Sequence, residues 1–187
     1  MKFETFLQDF VKNPELNEGH IHEYAFVDPK DIPFGEAVRA ACEANYCGRY
    51  GKCWTCPPGV GDWQELRDQA RAYQRALIFT TCTELEDSYD LEGMGEAAAM
   101  HSALNDKLRA MLRELPGTFA FYGAGSCTRC EKCTYPDAPC RFPELAMRSM
   151  EACGMDVVNL SKLCKIHYIN GPDTVTYFSA VLFSEAE

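Results

Sequence analysis

Positive charge is scarce in this sequence. Its 18 lysines and arginines face 28 aspartates and glutamates, which gives a formal net charge of -10 at pH 7. Nucleic acids and anionic membranes attract basic surfaces, so we expect neither to be a general partner of this chain. The sequence also lacks an apolar run of the roughly 20 residues that a membrane-spanning helix needs, so we expect no membrane association.

Targeting and common catalytic motifs are missing as well. The first residues, MKFETFLQDFVKN, contain neither the apolar core nor the cleavage site of a secretory signal peptide. We therefore predict a cytoplasmic protein. The sequence has no nucleophile elbow, phosphate-binding loop or catalytic-triad signature, so these motifs assign no reaction. There is no internal repeat or low-complexity linker, and residues 1–187 are predicted to form a single domain.

Helical and extended patterns alternate along the chain. They predict the α/β or α+β class: a small mixed sheet packed with helices, with at least one antiparallel pairing and two cysteine-rich, metal-binding loops. Gly154 is placed to end one of the helices. The predicted helices cover 3–11, 33–45, 63–74, 92–115, 143–153 and 157–164, and the predicted strands cover 22–27, 75–83, 118–125 and 174–183.

Cysteine is the residue type that the sequence has in excess. There are eleven cysteines, most of them in two groups. In a reducing cytosol, clustered cysteines hold metal or perform redox chemistry more often than they form structural disulfides. An odd number also cannot pair completely within one chain. The cysteines therefore point to metal ions or iron–sulfur clusters.

The second cysteine group has the more specific spacing. Its members are separated as C-x2-C-x2-C-x6-C, and a curled backbone of this kind can present successive thiolates to separate irons of a [4Fe–4S] cluster. Zinc is the alternative, although zinc ribbons usually use two separated C-x2-C pairs. The six-residue gap and the missing proline after the last cysteine differ from ferredoxins. The group consists of Cys127, Cys130, Cys133 and Cys140.

The first cysteine group is spaced as C-x4-C-x5-C-x2-C. Four thiolates within fifteen residues are enough for one cluster, but this spacing is less specific than that of the second group. Each cysteine segment carries a net charge of +1, while the whole chain carries -10. Cations next to an anionic cluster would offset its charge. The alternative is that these basic residues are ordinary solvent-exposed loop residues. The group consists of Cys42, Cys47, Cys53 and Cys56.

Three segments resemble those of a prokaryotic family of predicted metal-binding proteins, domain of unknown function 2284, which is common in anaerobes. They read ACEANYCGRYGKCWTCPPGVG, GAGSCTRCEKCTYPDAPCRFPELAMRSMEACGMDV and INGPDTVTYF, and the resemblance runs from about Cys42 to Phe183. The family pattern implies that Cys42, Cys47 and Cys56 are ligands, together with all four cysteines of the second group. Position 53 is not usually cysteine in the family, so Cys53 departs from the pattern.

A three-cysteine first site, as the resemblance implies, leaves one iron with an open coordination position. Such a position suits reductive chemistry, whereas a simple electron carrier does not need one. We therefore expect residues 1–187 to form a single iron–sulfur-binding domain with two [4Fe–4S] clusters. The clusters would serve electron transfer or reductive chemistry, with a redox partner protein or a small-molecule substrate. The alternative is a non-enzymatic protein that uses zinc or iron structurally or delivers the metal. No catalytic residue is assigned.

The three remaining cysteines are isolated in the sequence. Single cysteines on strands and helices are usually small buried apolar residues, and we expect this of Cys82, Cys153 and Cys164. Cys82 lies near the end of a predicted strand and is the best outside candidate for a missing fourth ligand. The histidines form no ligand-spaced motif beyond His20 and His22, for which a metal role is not favoured.

Overall fold

A five-stranded mixed sheet organises the protein, whose computed structural model describes residues 2–186. The strand order is β1-β2-β5-β3-β4. The strands are β1 (Tyr24–Val27), β2 (Arg75–Glu84), β3 (Gly117–Gly123), β4 (Arg148–Ser149) and β5 (Thr174–Glu185). The helices are α1 (Phe3–Lys12), α2 (Pro14–Asn17), α3 (Glu36–Glu43), α4 (Trp63–Arg71), α5 (Leu91–Leu112) and α6 (Val157–Cys164), and 3-10 turns cover Pro29–Asp31 and Glu151–Cys153.

Strand β5 lies at the centre of the sheet and is antiparallel to both of its neighbours. Its pairing with β2 runs from Arg75 opposite Phe183 to Glu84 opposite Thr174. Its other edge pairs with β3. Strands β3 and β4 are parallel, so the sheet is mixed. The predicted α/β class and the predicted antiparallel pairing are confirmed.

The two faces of the sheet bury separate apolar cores. Side chains alternate between the faces along each strand. Ile78 of β2 and Leu182 of β5 point into a core formed with α4 and α6. Phe79 of β2 and Val181 of β5 point into the opposite core, which α1 and α5 cover. The sheet is therefore covered on both sides, which fits the apolar runs in its central strands.

The long helix α5 follows the predicted apolar face. The carboxylate of Asp90 caps its first turn by accepting a 2.8 Å hydrogen bond from the amide of Gly93. Leu104, Leu108 and Leu112 are buried against the sheet. Among residues 2–186, no helix combines the length and the apolar composition that crossing a bilayer requires.

The predicted helix at 143–153 is wrong. The carbonyl oxygen of Leu145 accepts a 2.8 Å hydrogen bond from the Arg109 side chain, and the carbonyl oxygen of Glu144 accepts one from Arg113. These two carbonyls therefore do not accept the hydrogen bonds of a helix. Arg148–Ser149 instead pairs with the end of β3 as β4. A helical turn remains only at Glu151–Cys153, and Gly154, with a φ of 85°, ends it. Any side chain at position 154 would also meet the Trp63 ring.

Candidate metal centre

Three cysteines of the first group line one cavity. Cys42, Cys47 and Cys56 lie around a space of about 620 Å³, which Glu151 and Ala152 of the Glu151–Cys153 turn also line. These are the three residues that the resemblance implied for the first group. The Cys47 side chain is exposed while Cys56 is buried, so the cavity has one side open to solvent. The arrangement places three thiols, one of them accessible, around a common space.

Local backbone geometry brings these three cysteines together. Helix α3 carries Cys42 and ends at Glu43. Asn45 then turns the chain with a φ of 58°, and its side-chain oxygen accepts a 2.9 Å hydrogen bond from the amide of Tyr50. The amide of Gly51 donates to the carbonyl of Pro57 at 2.8 Å and closes the loop. The loop therefore folds back on itself and returns Cys56 to the end of α3.

All four cysteines of the second group line a second cavity. This cavity has a volume of about 270 Å³, and Trp54 and Tyr135 form part of its lining. The hydroxyl of Thr134 donates to the carbonyl of Pro139 at 2.8 Å, which folds the six-residue gap into a compact turn. That turn brings the fourth cysteine back to the other three. The cysteines are Cys127, Cys130, Cys133 and Cys140.

Cys53 does not line the cavity of the first group. It lines the second cavity, with only 1% of its surface exposed. Its sulfur lies 3.5 Å from the hydroxyl of Thr55. A side-chain hydrogen bond with Cys56 lowers the pKa of Cys53, and the same bond together with burial raises the pKa of Cys56. Cys53 therefore lies between the two cysteine groups, in contact with a ligand candidate of the first and facing the space of the second.

Direct hydrogen bonds join the two cysteine segments. The Arg49 side chain donates to the hydroxyl of Ser126 at 2.9 Å and to the carbonyl of Cys127 at 3.3 Å. In the other direction, the amide of Cys127 donates to the hydroxyl of Thr55 at 3.3 Å. Arg49 lines both cavities. The two cavities are therefore neighbours that share a wall.

An aromatic pair makes a second connection between the segments. The indole nitrogen of Trp54 donates to the carbonyl of Ala138 at 3.1 Å, and its ring meets that of Tyr135 edge-on at 4.9 Å. Gly59 makes the approach sterically feasible, because a Cβ there would lie 2.8 Å from both the Cys53 carbonyl oxygen and the Tyr135 ring. The segments are thus packed together as well as hydrogen-bonded.

Basic side chains dominate the lining of the second cavity. Among the described residues, five cations and one carboxylate face it, on a chain whose net charge is -10. Four cysteine thiolates around an iron–sulfur core form an anion, and its burial is favourable only where nearby positive charge offsets it. The lining therefore suits an anionic group. The charged residues are Arg49, Lys52, Arg129, Lys132, Arg141 and Glu131.

Each cavity has enough cysteines around it to hold an iron–sulfur cluster. Within residues 2–186, no three cysteine, histidine, aspartate or glutamate side chains are grouped closely enough to hold one metal ion. A structural zinc ion would draw four thiolates to about 2.3 Å from one point. A [4Fe–4S] cluster binds each thiolate through a different iron, so its ligands surround a larger space. Two cysteine-lined cavities match the second arrangement.

The isolated cysteines lie outside both cavities. Cys153 is fully buried in one apolar core, and Cys164 packs against the same core, as the sequence predicts. Cys82 does not meet the first group; it lines a separate surface cavity together with His20 and His22. The position of Cys82 therefore does not support a role as the fourth ligand of the first group.

One acidic residue of the first cavity was missed by sequence reasoning. Glu151 lines that cavity together with the three cysteines. Burial raises the pKa of its carboxyl group, and its charge adds to the burial that raises the pKa of Cys42. Glu151 lies more than a hundred residues from Cys42 in the sequence and belongs to no local ligand spacing, so only the tertiary fold reveals it.

The fold and the cysteine-lined cavities describe a metal-binding protein. The chain belongs to a family described as predicted metal-binding proteins, DUF2284, whose model matches residues 25–183. The match covers β1 to β5 and both cysteine groups. It confirms the resemblance and the prediction that the protein binds metal. No curated protein and no solved structure matches the chain significantly.

Proposed function

We propose that the protein binds two [4Fe–4S] clusters side by side and uses them in electron transfer or in reductive chemistry at the first cluster. The observation that carries the proposal is the division of the cysteines between two adjoining cavities. Cys42, Cys47 and Cys56 line one, while the complete C-x2-C-x2-C-x6-C set lines the other. Thiolates in these numbers are the ligands that iron–sulfur clusters use.

The clusters, when bound, supply one-electron storage and, at a three-cysteine site, an iron that can accept a ligand. The protein's own residues provide the environment. Arg49 contributes positive charge to both cavities, and Lys52 and Arg141 add to that of the second. Such charge raises the reduction potential of a buried anionic centre. Trp54 and Tyr135 pack against each other and add aromatic surface to the lining of the second cavity.

The two centres differ in access, which suggests different roles. The second has the four cysteines of the second group and aromatic residues in its lining, as expected for an electron relay. The first has three cysteines, and the exposed Cys47 marks a side that a small molecule or a partner protein can reach. Because Arg49 and Thr55 bridge the two segments, an electron would have a short hydrogen-bonded route between the centres. A redox partner would deliver electrons to the second centre, and the first would pass them to a substrate.

Metal analysis of protein purified without oxygen tests the proposal. We expect about eight irons and about eight sulfides per chain, a brown colour and bleaching by dithionite. A Cys130→Ala variant should lose about four irons, because it removes a ligand of only one cluster. The matched control is Cys82→Ser, which changes a cysteine outside both cavities and should keep the full iron content. Stoichiometric zinc with little iron in the natively purified protein would overturn the proposal in favour of a structural or metal-delivery role.

A further inference from the structure

We propose that the carboxylate of Glu151 is the fourth protein ligand of the first centre and is exchangeable for an external ligand. This inference rests on the proposed function, since it assigns the coordination position that three cysteines leave free. Glu151 lines the cavity formed by Cys42, Cys47 and Cys56, and it is the one carboxylate among the described residues of that lining. Carboxylate oxygen is an established ligand type for protein-bound iron.

The fold fixes Glu151 relative to the cysteines. The Arg39 side chain, on the helix that carries Cys42, donates to the carbonyl of Ala152 at 3.1 Å. The amide of Gly35, at the start of the same helix, donates to the carbonyl of Gly154 at 3.0 Å. Two hydrogen bonds therefore join the turn that carries Glu151 to the helix that carries Cys42. The carboxylate does not depend on a flexible loop to reach the cavity.

The electrostatic surroundings of Glu151 call for a metal. Glu151 is partly buried, and the hydroxyl-bearing residue Ser149 lines the same cavity. No described lysine, arginine or histidine forms an ion pair with the Glu151 carboxylate. Burying an unpaired carboxylate is unfavourable, and placing one beside an anionic cluster without contact would add repulsion. Coordination to an iron removes both costs.

A carboxylate ligand gives the first centre a distinct chemistry. Iron–sulfur clusters prefer thiolate ligands, so an oxygen ligand is the one most readily displaced by a thiol, cyanide or a reducible substrate. Displacement breaks one iron–oxygen bond and forms one bond to the incoming ligand, with no change in oxidation state. The released carboxylate would stay within the cavity, which Glu151 and Ser149 both line. The site thus remains closed at rest and opens when a ligand arrives.

Three substitutions at position 151 and one control test this assignment. The experiment measures iron per chain and the EPR spectrum of dithionite-reduced protein purified without oxygen. Glu151→Gln and Glu151→Ala should lose about one of about eight irons and alter the signal of the first cluster alone. Glu151→Cys should restore the iron content, with a spectrum that no longer responds to added cyanide. The matched control is Glu36→Gln, which removes an exposed carboxylate from the helix that carries Cys42 and should match the wild type.

The outcomes separate the two proposals. If wild-type protein holds zinc or no cluster, the proposed function itself fails. If wild-type protein holds two clusters, and Glu151→Gln matches it in iron content, first-cluster spectrum and cyanide response, the Glu151 assignment is overturned. The unchanged signal of the second cluster reports that each variant is folded. Should Glu151→Ala lose both signals, the isosteric Glu151→Gln decides the question.

Discussion

The Arg49 guanidinium donates a 3.3 Å hydrogen bond to the carbonyl of Cys127, and so links the loop of one cysteine group to the first cysteine of the other. Its contact with Ser126, at 2.9 Å, strengthens the same link. Because Arg49 also lines both cavities, a single side chain serves the two candidate centres. Their properties should therefore respond together when this residue is changed.

Arg49→Gln should lower the reduction potentials of both clusters. Removing a positive charge from the wall of a buried anionic centre stabilises its oxidised state, with an expected shift on the order of 50 mV. Potentiometric titration monitored by EPR measures the two centres separately. Arg141→Gln is the matched control, since Arg141 lines the second cavity only and should shift one potential. If Arg49→Gln changed the reduction potential of only one cluster, Arg49 would not influence both centres.

Cys53→Ser should keep both clusters. Cys53 does not line the cavity of the first group, and the second cavity already has the four cysteines of the second group. We expect about eight irons per chain in this variant and about four in Cys56→Ser. Iron and sulfide analysis after anaerobic purification gives the comparison. If Cys53→Ser instead loses about four irons, Cys53 is a ligand, and a fully cysteine-ligated first site would be an electron relay.

Metal removal should loosen the cysteine segments before the sheet. Few of their side chains belong to the two apolar cores, so bound metal should supply much of their order. Limited proteolysis of chelator-treated protein should first cut within residues 42–58 and 126–141. Hydrogen exchange in β2 and β5 should change little over the same period. Identical cleavage patterns with and without metal would show that the segments are ordered by the polypeptide alone.

His101 should make the folded protein less stable as the pH falls below about 6.5. The ring is 3% exposed, and burial lowers its pKa from 6.5 to about 4. Between these values the unfolded chain binds a proton that the folded protein does not, so stability decreases with acidification. The loss from pH 7 to pH 5 should be about 2 kcal/mol. The neutral ring is held between Thr81 at 2.9 Å and Ser179 at 2.8 Å.

Urea unfolding at pH 7 and pH 5 measures this effect. His101→Gln keeps polar groups near both partners. Between pH 7 and pH 5, its free energy of unfolding should fall by about 2 kcal/mol less than that of the wild type. His167→Gln is the control, because it removes a histidine that is exposed and bound to Glu23 at the surface. An equal pH dependence in His101→Gln and the wild type would show that His101 titrates normally in the folded state.

Local sequence patterns predicted most of the sheet and its helices. The segments that became α5, α6, β2 and β5 carry strong apolar periodicity, and each lies where it was predicted. The predicted helix at 143–153 failed because arginines of distant segments bind its carbonyls. Helical propensity in that segment is weaker than these tertiary contacts. Apolar periodicity therefore predicts correctly the helices and strands that bury a continuous face. It gives the wrong secondary structure where polar tertiary contacts determine the backbone conformation.

The site was predictable only where its geometry is local. The C-x2-C-x2-C-x6-C spacing already identifies the four cysteines that line the second cavity. The first group has looser spacing, and its division into three cysteines and Cys53 came from the family pattern. The position of Glu151 and the bridging role of Arg49 depend on which segments the sheet brings together. Such long-range contacts leave no periodic signal in the sequence.

The central position of β5 has a consequence for assembly during synthesis. This strand pairs with both β2 and β3, yet it follows both cysteine segments in the chain. Chains emerge from the ribosome in sequence order, so the sheet stays divided into two unpaired parts until residues 174–185 are released. Seven candidate thiol ligands are then exposed before the scaffold that holds them exists. Metal loading should accordingly follow translation, and nascent chains should be the form most vulnerable to oxidation.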